Sequence, residues 1–184
     1  MGQIDFSTIT TAFTDPAAWL VAPIVLVVLF VVLLRPRRPG ARGEAAVARR
    51  LRRYCAAVAN DVILRDGRGG LTQIDHLALT SEGLLVVETK DFGGLIFGKT
   101  HDRTWTQCIG RHKRRFENPL RQNYGHVKAV QAVVPEVQVT GLVVFMDRAR
   151  FPRGLPEGVT TLSLLQQALP LTNAKSIHAA HREA

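Results

Sequence analysis

Residues 73–90 read QIDHLALTSEGLLVVETK, and this stretch decides the fold that the sequence predicts. Two apolar runs, Gln73–Leu79 and Leu84–Lys90, are rich in Leu, Ile and Val, and the polar segment Thr80–Gly83 joins them. Short apolar runs on either side of a loop-like connection are typical of a β-hairpin. We therefore expect two antiparallel strands at the centre of the domain.

The register of this hairpin determines whether two carboxylates meet. Closure across the four connecting residues places Leu77 opposite Val86. In the same register Asp75 lies opposite Glu88, and directly opposed residues have Cβ atoms about 4.5–5.5 Å apart. Two carboxylates at that distance repel each other unless a cation lies between them. The pair predicts a divalent-metal site, with the alternative that both acids lie at strand ends and pair with Lys90 or with arginines.

Lys90 is predicted to take part in the chemistry of this site. It lies two residues beyond Glu88, so its side chain leaves the same face of the strand. An ammonium group there can hold a phosphate oxygen, or help to position or deprotonate an attacking water. Metal, water and phosphate together are the requirements of phosphodiester hydrolysis. His76 follows Asp75 and is predicted to face the other side, either as a structural residue or as one that supports the site residues from behind.

The chain around the hairpin predicts helices and short strands without strict βαβ alternation, so we expect an α/β or α+β domain. Glu44 lies on the inward face of the first helix with Val47 and Leu51, where a carboxylate is costly unless it is paired. The second helix is predicted to begin at Asn118 and to bury Leu120, Tyr124, Val127, Val130 and Val134. The other predicted elements are the first helix over Gly43–Val58, strands over Asp61–Arg65, Leu95–Gly98, Thr104–Ile109, Val137–Phe145 and Val159–Leu162, and a short helix over Ser163–Leu169.

A membrane anchor is predicted ahead of this domain. Residues 17–34 read AAWLVAPIVLVVLFVVLL, carry no charge and match the length that a bilayer core requires. Arg35, Arg37, Arg38 and Arg42 follow this segment and no Lys or Arg precedes it. The positive-inside rule then places the N-terminus outside and the rest in the cytoplasm. We expect a single-pass protein of the inner (cytoplasmic) membrane, since a cleaved signal peptide would begin with basic residues.

The domain boundaries follow from this anchor. We predict one transmembrane helix, one folded domain and two short polar segments, with a Pro- and Gly-containing linker after the helix. The boundaries are 1–16 for the extracytoplasmic N-terminus, 17–34 for the transmembrane helix, 35–42 for the basic linker, 43–170 for the folded domain and 171–184 for a polar, flexible tail.

The composition favours an anionic partner. The net charge of +9 suits nucleic acid or the anionic inner leaflet of a membrane, although it can also serve only topology and solubility. Cys55 and Cys108 lie far apart with no CxxC motif, which argues against a disulfide framework or a structural zinc.

Several basic and amide side chains are candidates for binding the nucleic acid. The run RHKRR at 111–115 can hold phosphates, or it can be the solvated tip of a hairpin between Trp105 and Phe116. Gln107 and Gln122 can orient water or a backbone phosphate, or be ordinary surface or capping amides, whereas Trp105 is predicted to be core. The candidate nucleic-acid-binding residues are Arg111, Lys113, Arg114, Arg115, Arg121, Gln122 and Lys128.

Taken together, these motifs resemble the nuclease-related domain family, often called NERD. That family is grouped with the PD-(D/E)xK nucleases, whose restriction-endonuclease-like fold has a mixed central sheet flanked by helices. The resemblance implies that Asp75 and Glu88 bind Mg²⁺ or Mn²⁺ and that Lys90 is the catalytic lysine. It also implies that Glu44 is the helix-borne acid of the first motif, and we add Gln107 as a catalytic candidate. The residues that carry the resemblance are Gly43-Glu44, Gln73–His76, Glu88–Lys90, Trp105–Gln107 and Asn118–Asn123.

Two functions follow from these features as hypotheses. The first is a membrane-anchored, Mg²⁺- or Mn²⁺-dependent nuclease that acts on DNA, or alternatively on RNA, at the cytoplasmic face. The second is a catalytically inactive, membrane-tethered module that binds nucleic acid or a protein, because a nuclease fold can be kept for binding alone. A third hypothesis is a basic domain that lies against anionic lipid.

Overall fold

The computed structural model describes residues 40–169 of the 184-residue chain. The predicted extracytoplasmic N-terminus 1–16, transmembrane helix 17–34 and tail 171–184 lie outside the described residues, as does most of the predicted linker. Within residues 40–169, no helix is both long enough and apolar enough to cross a membrane.

The described part of the chain is a mixed α+β structure with two sheets and three helices. The three helices are α1 (Ala41–Leu51), α2 (Pro119–Val133) and α3 (Leu165–Ala168). The strands are β1 (Ala57–Arg65), β2 (Leu71–Thr80), β3 (Gly83–Lys90), β4 (Gly94–Phe97), β5 (Thr104–Ile109), β6 (His112–Glu117), β7 (Val139–Phe145), β8 (Ala149–Arg150) and β9 (Val159–Thr161).

Both sheets are mixed. The five-stranded sheet has the order β1-β2-β3-β7-β9, with antiparallel pairs from β1 to β3 and parallel pairs from β3 to β9. The four-stranded sheet has the order β6-β5-β4-β8, and only its β4–β8 pair is parallel. The family resemblance implied one central sheet. The hairpin that the sequence offered between Trp105 and Phe116 forms, as β5 and β6, but it belongs to the second sheet.

The predicted hairpin register is confirmed. Leu77 pairs with Val86 and Leu79 with Leu84, and Thr80 pairs with Gly83, so the turn itself is only two residues long. Gly83 has a φ of 124°, and a Cβ there would collide with the carbonyl oxygen of Gln138. Glycine is therefore required at this position both for the turn and for the close approach of the chain before β7.

The five-stranded sheet is covered on both faces. On one face, Val47 and Leu51 of α1 pack against Leu85 and Val87 of β3. On the other face, Val86 packs against Val130 of α2. Because side chains alternate along a strand, Glu88 and Lys90 leave β3 on the α2 side.

The first predicted helix is too long at its C-terminal end. Helix α1 ends at Leu51, and β1 begins at Ala57. Tyr54 and Val58 nevertheless pack against the same core cluster as α1, from a turn and a strand. The spacing of these apolar residues therefore indicated that they share one core. A continuous helix can bury them in that way, and so can a turn followed by a strand.

The predicted buried face of the second helix is wrong at one position. Asn118 caps α2, as predicted, with its side chain accepting a hydrogen bond from the Leu120 amide at 2.9 Å. Tyr124, however, is 63% exposed, whereas Asn123 and His126 are buried. The Asn123 side chain donates to the carbonyl of Val86 in β3, so this position of α2 meets the sheet through a polar contact while Tyr124 faces solvent.

Candidate active site

Glu88 is the centre of the candidate site. It is 2% exposed, and its Oε1 accepts a 2.6 Å hydrogen bond from Lys90 Nζ. Its Oε2 has no hydrogen-bond partner among the described residues. Burial raises the pKa of Glu88 from 4.5 to about 7, against the opposing effect of the Lys90 ammonium. A carboxylate in this setting gains stability from any cation that reaches its second oxygen.

Asp75 lies beside Glu88 at the point where β2 leaves β3. The pairing of the two strands ends at His76 and Val87, and continuing that register by one residue places Asp75 level with Glu88. The Asp75 Oδ2 accepts a 2.8 Å hydrogen bond from the backbone amide of Thr89. The negative charge of Asp75 contributes to the raised pKa of Glu88, so the two carboxylates share one electrostatic environment.

An irregularity in the sheet accompanies Asp75. Val58 and Ala78 pack in the cluster of α1, whereas Val62 and Ile74, an even number of residues away, pack in the cluster of α2. Strict alternation places residues that are an even number apart on the same face of a strand. The strand pair therefore changes face between these positions. Asp61 of β1 lies in this interval and has a φ of 55°, a left-handed conformation that is uncommon for residues other than glycine.

Glu44 approaches this cluster from α1. It is half-buried in the first turn of the helix, and its charge also contributes to the raised pKa of Glu88. The preceding Gly43 permits the approach, because a Cβ there would lie 3.0 Å from the Cβ of Asp91. The first-motif pair thus combines a glycine that lets the helix meet the end of β3 with an acid whose charge acts on Glu88.

Lys90 bridges the sheet and α2. Its Nζ donates to Glu88 and, at 2.9 Å, to the Oε1 of Gln122. The Lys90 side chain is 17% exposed, so its charge is partly open to solvent and to a ligand. Gln122, which the sequence indicated as a phosphate- or water-orienting amide, is placed here as the residue that holds the lysine.

His126 belongs to the site, although the sequence indicated no ligand spacing for it. It lies on α2 four residues after Gln122, is buried, and its Nδ1 is 3.4 Å from Glu88 Oε2. Burial lowers the pKa of this histidine, with Lys90 acting in the same direction and Asp75 opposing it. The spacing of four residues between Gln122 and His126 was the available signal, because it places both side chains on one side of a helix.

His76 is structural, as predicted. It is buried, and its two ring nitrogens lie 2.8 Å from Asn60 Oδ1 and 3.1 Å from Thr89 Oγ1. Burial lowers its pKa, although the charges of Asp75 and Asp61 oppose that effect. The imidazole therefore links β2, which carries Asp75, to Thr89. The backbone amide of Thr89 in turn donates to the Asp75 carboxylate.

Gln107 is not placed with the carboxylates by any contact in residues 40–169. It is buried on β5 and donates a 2.8 Å hydrogen bond to the carbonyl of Gly93. Gly93 follows Lys90 by three residues, so this bond anchors the segment that leaves β3. Trp105 is fully buried, as predicted for a core residue.

The predicted phosphate-binding residues form two groups. Arg111 lies in the turn between β5 and β6, and Lys113, Arg114 and Arg115 extend along β6, an exposed edge strand. The basic run is thus mostly strand and not only the tip of a hairpin. Arg121, Gln122 and Lys128 lie on α2.

Two clefts connect these groups. A cleft of about 810 Å³ runs along α2 and is lined by Arg121, Gln122, His126 and Lys128, and also by Arg68 from the β1–β2 turn. A second depression, of about 550 Å³, is lined by Arg103, Arg115 and Arg121. Arg121 lines both, and the larger cleft is also lined by Gln122 and His126, which contact Lys90 and Glu88.

The residues present fit a divalent ion held by few protein ligands. No group of three or more His, Cys, Asp or Glu side chains between residues 40 and 169 is arranged to enclose a metal. The second oxygen of Glu88 is nevertheless buried without a hydrogen-bond partner, beside the charge of Asp75. One or two carboxylates, completed by water and phosphate oxygens, are the usual protein ligands of Mg²⁺.

The comparison with known proteins agrees with the motifs. The nuclease-related domain family matches residues 39–146, which include Glu44, Asp75, Glu88, Lys90 and His126. An uncharacterized protein of Bacillus anthracis is 38% identical over 104 residues, which cover 55% of this chain and 49% of that protein. The chain therefore matches about half the length of that relative. No solved structure matches it. The chain belongs to the nuclease-related domain family.

Proposed function

We propose that this chain is a metal-dependent nuclease that hydrolyses phosphodiester bonds of DNA, with RNA as the alternative substrate. The observation that carries the proposal is the buried Glu88 carboxylate, with one oxygen bound to Lys90 and the other without a hydrogen-bond partner. Membership of the nuclease-related domain family supports the same class of chemistry. A five-stranded mixed sheet with α1 and α2 on opposite faces is also compatible with a restriction-endonuclease-like fold.

Each residue of the site has a distinct role in the proposed reaction. Glu88 and Asp75 would hold Mg²⁺ or Mn²⁺, which supplies a Lewis acid and lowers the pKa of bound water. Lys90 donates to an oxygen of the scissile phosphate or positions the attacking water, and Gln122 keeps its ammonium group in place. Glu44 adds negative charge to the same environment. The Thr89 amide orients Asp75 through the 2.8 Å hydrogen bond.

The substrate is proposed to follow the clefts along α2. Arg121 and Lys128 contact backbone phosphates there, and the exposed Tyr124 offers an aromatic face to an unstacked base. Arg115 and the other basic residues of β6 extend this track. Phosphate contacts of this kind do not depend on the base sequence of the nucleic acid, and they weaken as the salt concentration rises.

The chain is further proposed to act at the cytoplasmic face of the inner membrane. The support is the uncharged segment 17–34 and the arginines that follow it. Tethering would confine the reaction to nucleic acid near the membrane.

A nuclease assay with the full chain in detergent tests the proposed reaction. Plasmid DNA should be cut with Mg²⁺ or Mn²⁺ and left intact with a chelator. The variants Asp75→Asn and Glu88→Gln should lose this activity. Glu82→Gln, which changes an exposed acid in the turn of the same hairpin, should retain it. If the two site variants cut as well as the parent chain, the assigned site is wrong.

A non-catalytic binding module is the second candidate, because the exposed basic strand β6 suffices to hold an anionic polymer. Salt-sensitive DNA binding without cleavage in any divalent ion would favour this alternative. An RNA substrate should be tested in the same series.

A further inference from the structure

Two buried atoms with no hydrogen-bond partner face each other in the candidate site. Glu88 Oε2 and His126 Nδ1 both lack a partner among the described residues, and they lie 3.4 Å apart. The side chains that carry them are 3% and 6% exposed, so solvent does not readily satisfy either atom. A buried polar atom left without a partner is destabilising. Their 3.4 Å contact is compatible with one shared proton or with one cation that both atoms bind.

The distance is suited to two ligands of one ion. Donor atoms that bind a metal at about 2.0–2.2 Å lie roughly 3.0–3.5 Å from each other in octahedral or tetrahedral coordination. The 3.4 Å between the carboxylate oxygen and the ring nitrogen falls in this range. It is also close enough for one shared proton, so the experiment has to separate these two cases.

The surrounding structure holds the imidazole in place. Helix α2 is capped by Asn118, and the Asn123 side chain donates to the carbonyls of Val86 and Leu142 in the sheet. His126 follows Asn123 by three residues, so the helix turn that carries the ring is fixed against β3. Glu88 is held in turn by Lys90 at its other oxygen. The pair is therefore already positioned to bind a third atom.

We infer that Glu88 and His126 are the two direct protein ligands of the metal ion, His126 through a ring nitrogen, with Asp75 adding its negative charge nearby. The site then prefers a first-row transition ion such as Mn²⁺ to Mg²⁺. This inference rests on the proposed metal-dependent function and adds the identity of the metal. Mg²⁺ selects oxygen ligands, whereas a neutral imidazole suits first-row transition ions. Binding of the ion would satisfy both buried atoms at once.

Pulsed electron paramagnetic resonance of bound Mn²⁺ tests this inference directly. The full chain in detergent, loaded with one equivalent of Mn²⁺, should show coupling to a directly bound ¹⁴N nucleus. Replacing natural histidine by ¹⁵N-histidine should change that coupling in the predicted isotopic ratio. His126→Gln should abolish it, whereas His101→Gln, an exposed histidine in a turn, should leave it intact.

Metal titration adds a thermodynamic measure. The dissociation constant of Mn²⁺ should rise at least tenfold in His126→Gln, while that of Mg²⁺ should change less than threefold. Loss of affinity alone would not prove direct binding, since residues that only orient a ligand can have effects of 10–100-fold. The nitrogen coupling decides between these roles.

The possible outcomes separate this inference from the proposed function. If wild-type protein binds Mn²⁺ without nitrogen coupling, His126 is not a ligand and the inference is overturned, whatever the nuclease activity. If nitrogen coupling is present and assigned to His126 but no DNA is cut, the inference stands and the proposed nuclease activity fails. If neither ion binds, the inference fails. The wild-type spectrum suffices for these conclusions should His126→Gln not fold.

Discussion

Lys90 Nζ lies 2.6 Å from Glu88 Oε1, and the two residues are on the same face of β3. This contact occupies one oxygen of a buried carboxylate and directs the other towards α2, where His126 lies. The lysine therefore fixes the orientation of the Glu88 carboxylate before any substrate binds. In the proposed reaction it also donates to a phosphate oxygen. It also lowers the pKa of Glu88 against the effect of burial.

Removal of the Lys90 ammonium should abolish most of the proposed cleavage. In Lys90→Met, the side-chain length is kept but the charge and the hydrogen bonds to Glu88 and Gln122 are lost. We expect a decrease of about 10²–10⁴-fold in the cleavage rate, the range for loss of a positioned proton-transfer group. Single-turnover plasmid cleavage measures the rate, and circular dichroism verifies the fold. Lys128→Met, on the exposed side of α2, is the control and should weaken DNA binding without a comparable loss at saturating DNA. Equal losses in both variants would contradict a chemical role for Lys90.

Without metal, the protein should become less stable as the pH rises. Glu88 has a pKa of about 7 in the folded protein against 4.5 for an ordinary glutamate. Folding therefore favours the neutral form of Glu88. The contribution of Glu88 to the free energy of unfolding is fully present below about pH 4.5 and is lost as the pH rises through 7. This difference in pKa corresponds to about 3 kcal/mol in the free energy of unfolding. Chemical unfolding with a chelator at pH 5 and pH 8.5 measures it.

The variant Glu88→Gln isolates this effect. An amide cannot ionise, so we expect the free energy of unfolding of Glu88→Gln to depend less on pH than that of the parent chain. Glu82→Gln should keep the parent pH dependence, because Glu82 is exposed. Parallel pH profiles for Glu88→Gln and the parent would show that this carboxylate does not titrate in the stated interval. A divalent ion should reverse the loss of stability at high pH in the parent and in Glu82→Gln, but not in Glu88→Gln.

The imidazole of His76 should contribute to stability through two contacts. In His76→Phe, a ring of similar shape leaves Thr89 Oγ1 and Asn60 Oδ1 without their partner. We expect a loss of about 1–3 kcal/mol in the free energy of unfolding, because Thr89 is buried. Urea denaturation measures the loss. His112→Phe, on the exposed strand β6, should change stability little.

The hairpin turn should not tolerate a side chain at Gly83. In Gly83→Ala, the new Cβ combines an unfavourable positive φ with a collision against the Gln138 carbonyl. We expect destabilisation beyond the roughly 1–2 kcal/mol that a left-handed conformation alone costs. Gly67→Ala is the matched control, since Gly67 has a φ of 74° and open space around it. Thermal unfolding of the two variants should therefore separate the collision from the backbone strain. Equal shifts would contradict the close approach of Gln138.

The basic edge strand should control the salt dependence of DNA binding. In the double variant Arg114→Gln/Arg115→Gln, two exposed cations of β6 are removed. We expect weaker binding for all sequences and a decrease of up to about 1.8 in the slope of log K against log salt, if both contact phosphates. Fluorescence anisotropy at several salt concentrations measures the slope. Arg49→Gln, an exposed residue of α1, is the control and should leave the slope unchanged.

The hairpin and its register could be predicted from the sequence alone. Side chains alternate with a period of two, so a short polar turn between two apolar runs leaves one register that buries both strands. The same local logic predicted the cap of α2. The Asn118 side chain accepts from the free amide of Leu120, and Pro119 has no amide that needs a partner, so neither depends on the rest of the fold. These features depend on neighbours in the chain, and the sequence contains those neighbours.

The environment of the site was decided by the tertiary structure. The buried positions of His126 and Asn123 follow from the orientation of α2 on the sheet, which the apolar pattern alone misjudged at Tyr124. The change of face near Asp61 and Asp75 breaks the alternation from which strand faces are predicted. Residue order thus determined which acids lie together on the hairpin. Only the packing of a distant helix determined how deeply Glu88 is buried, and burial is the physical cause of its raised pKa and of its unpartnered oxygen.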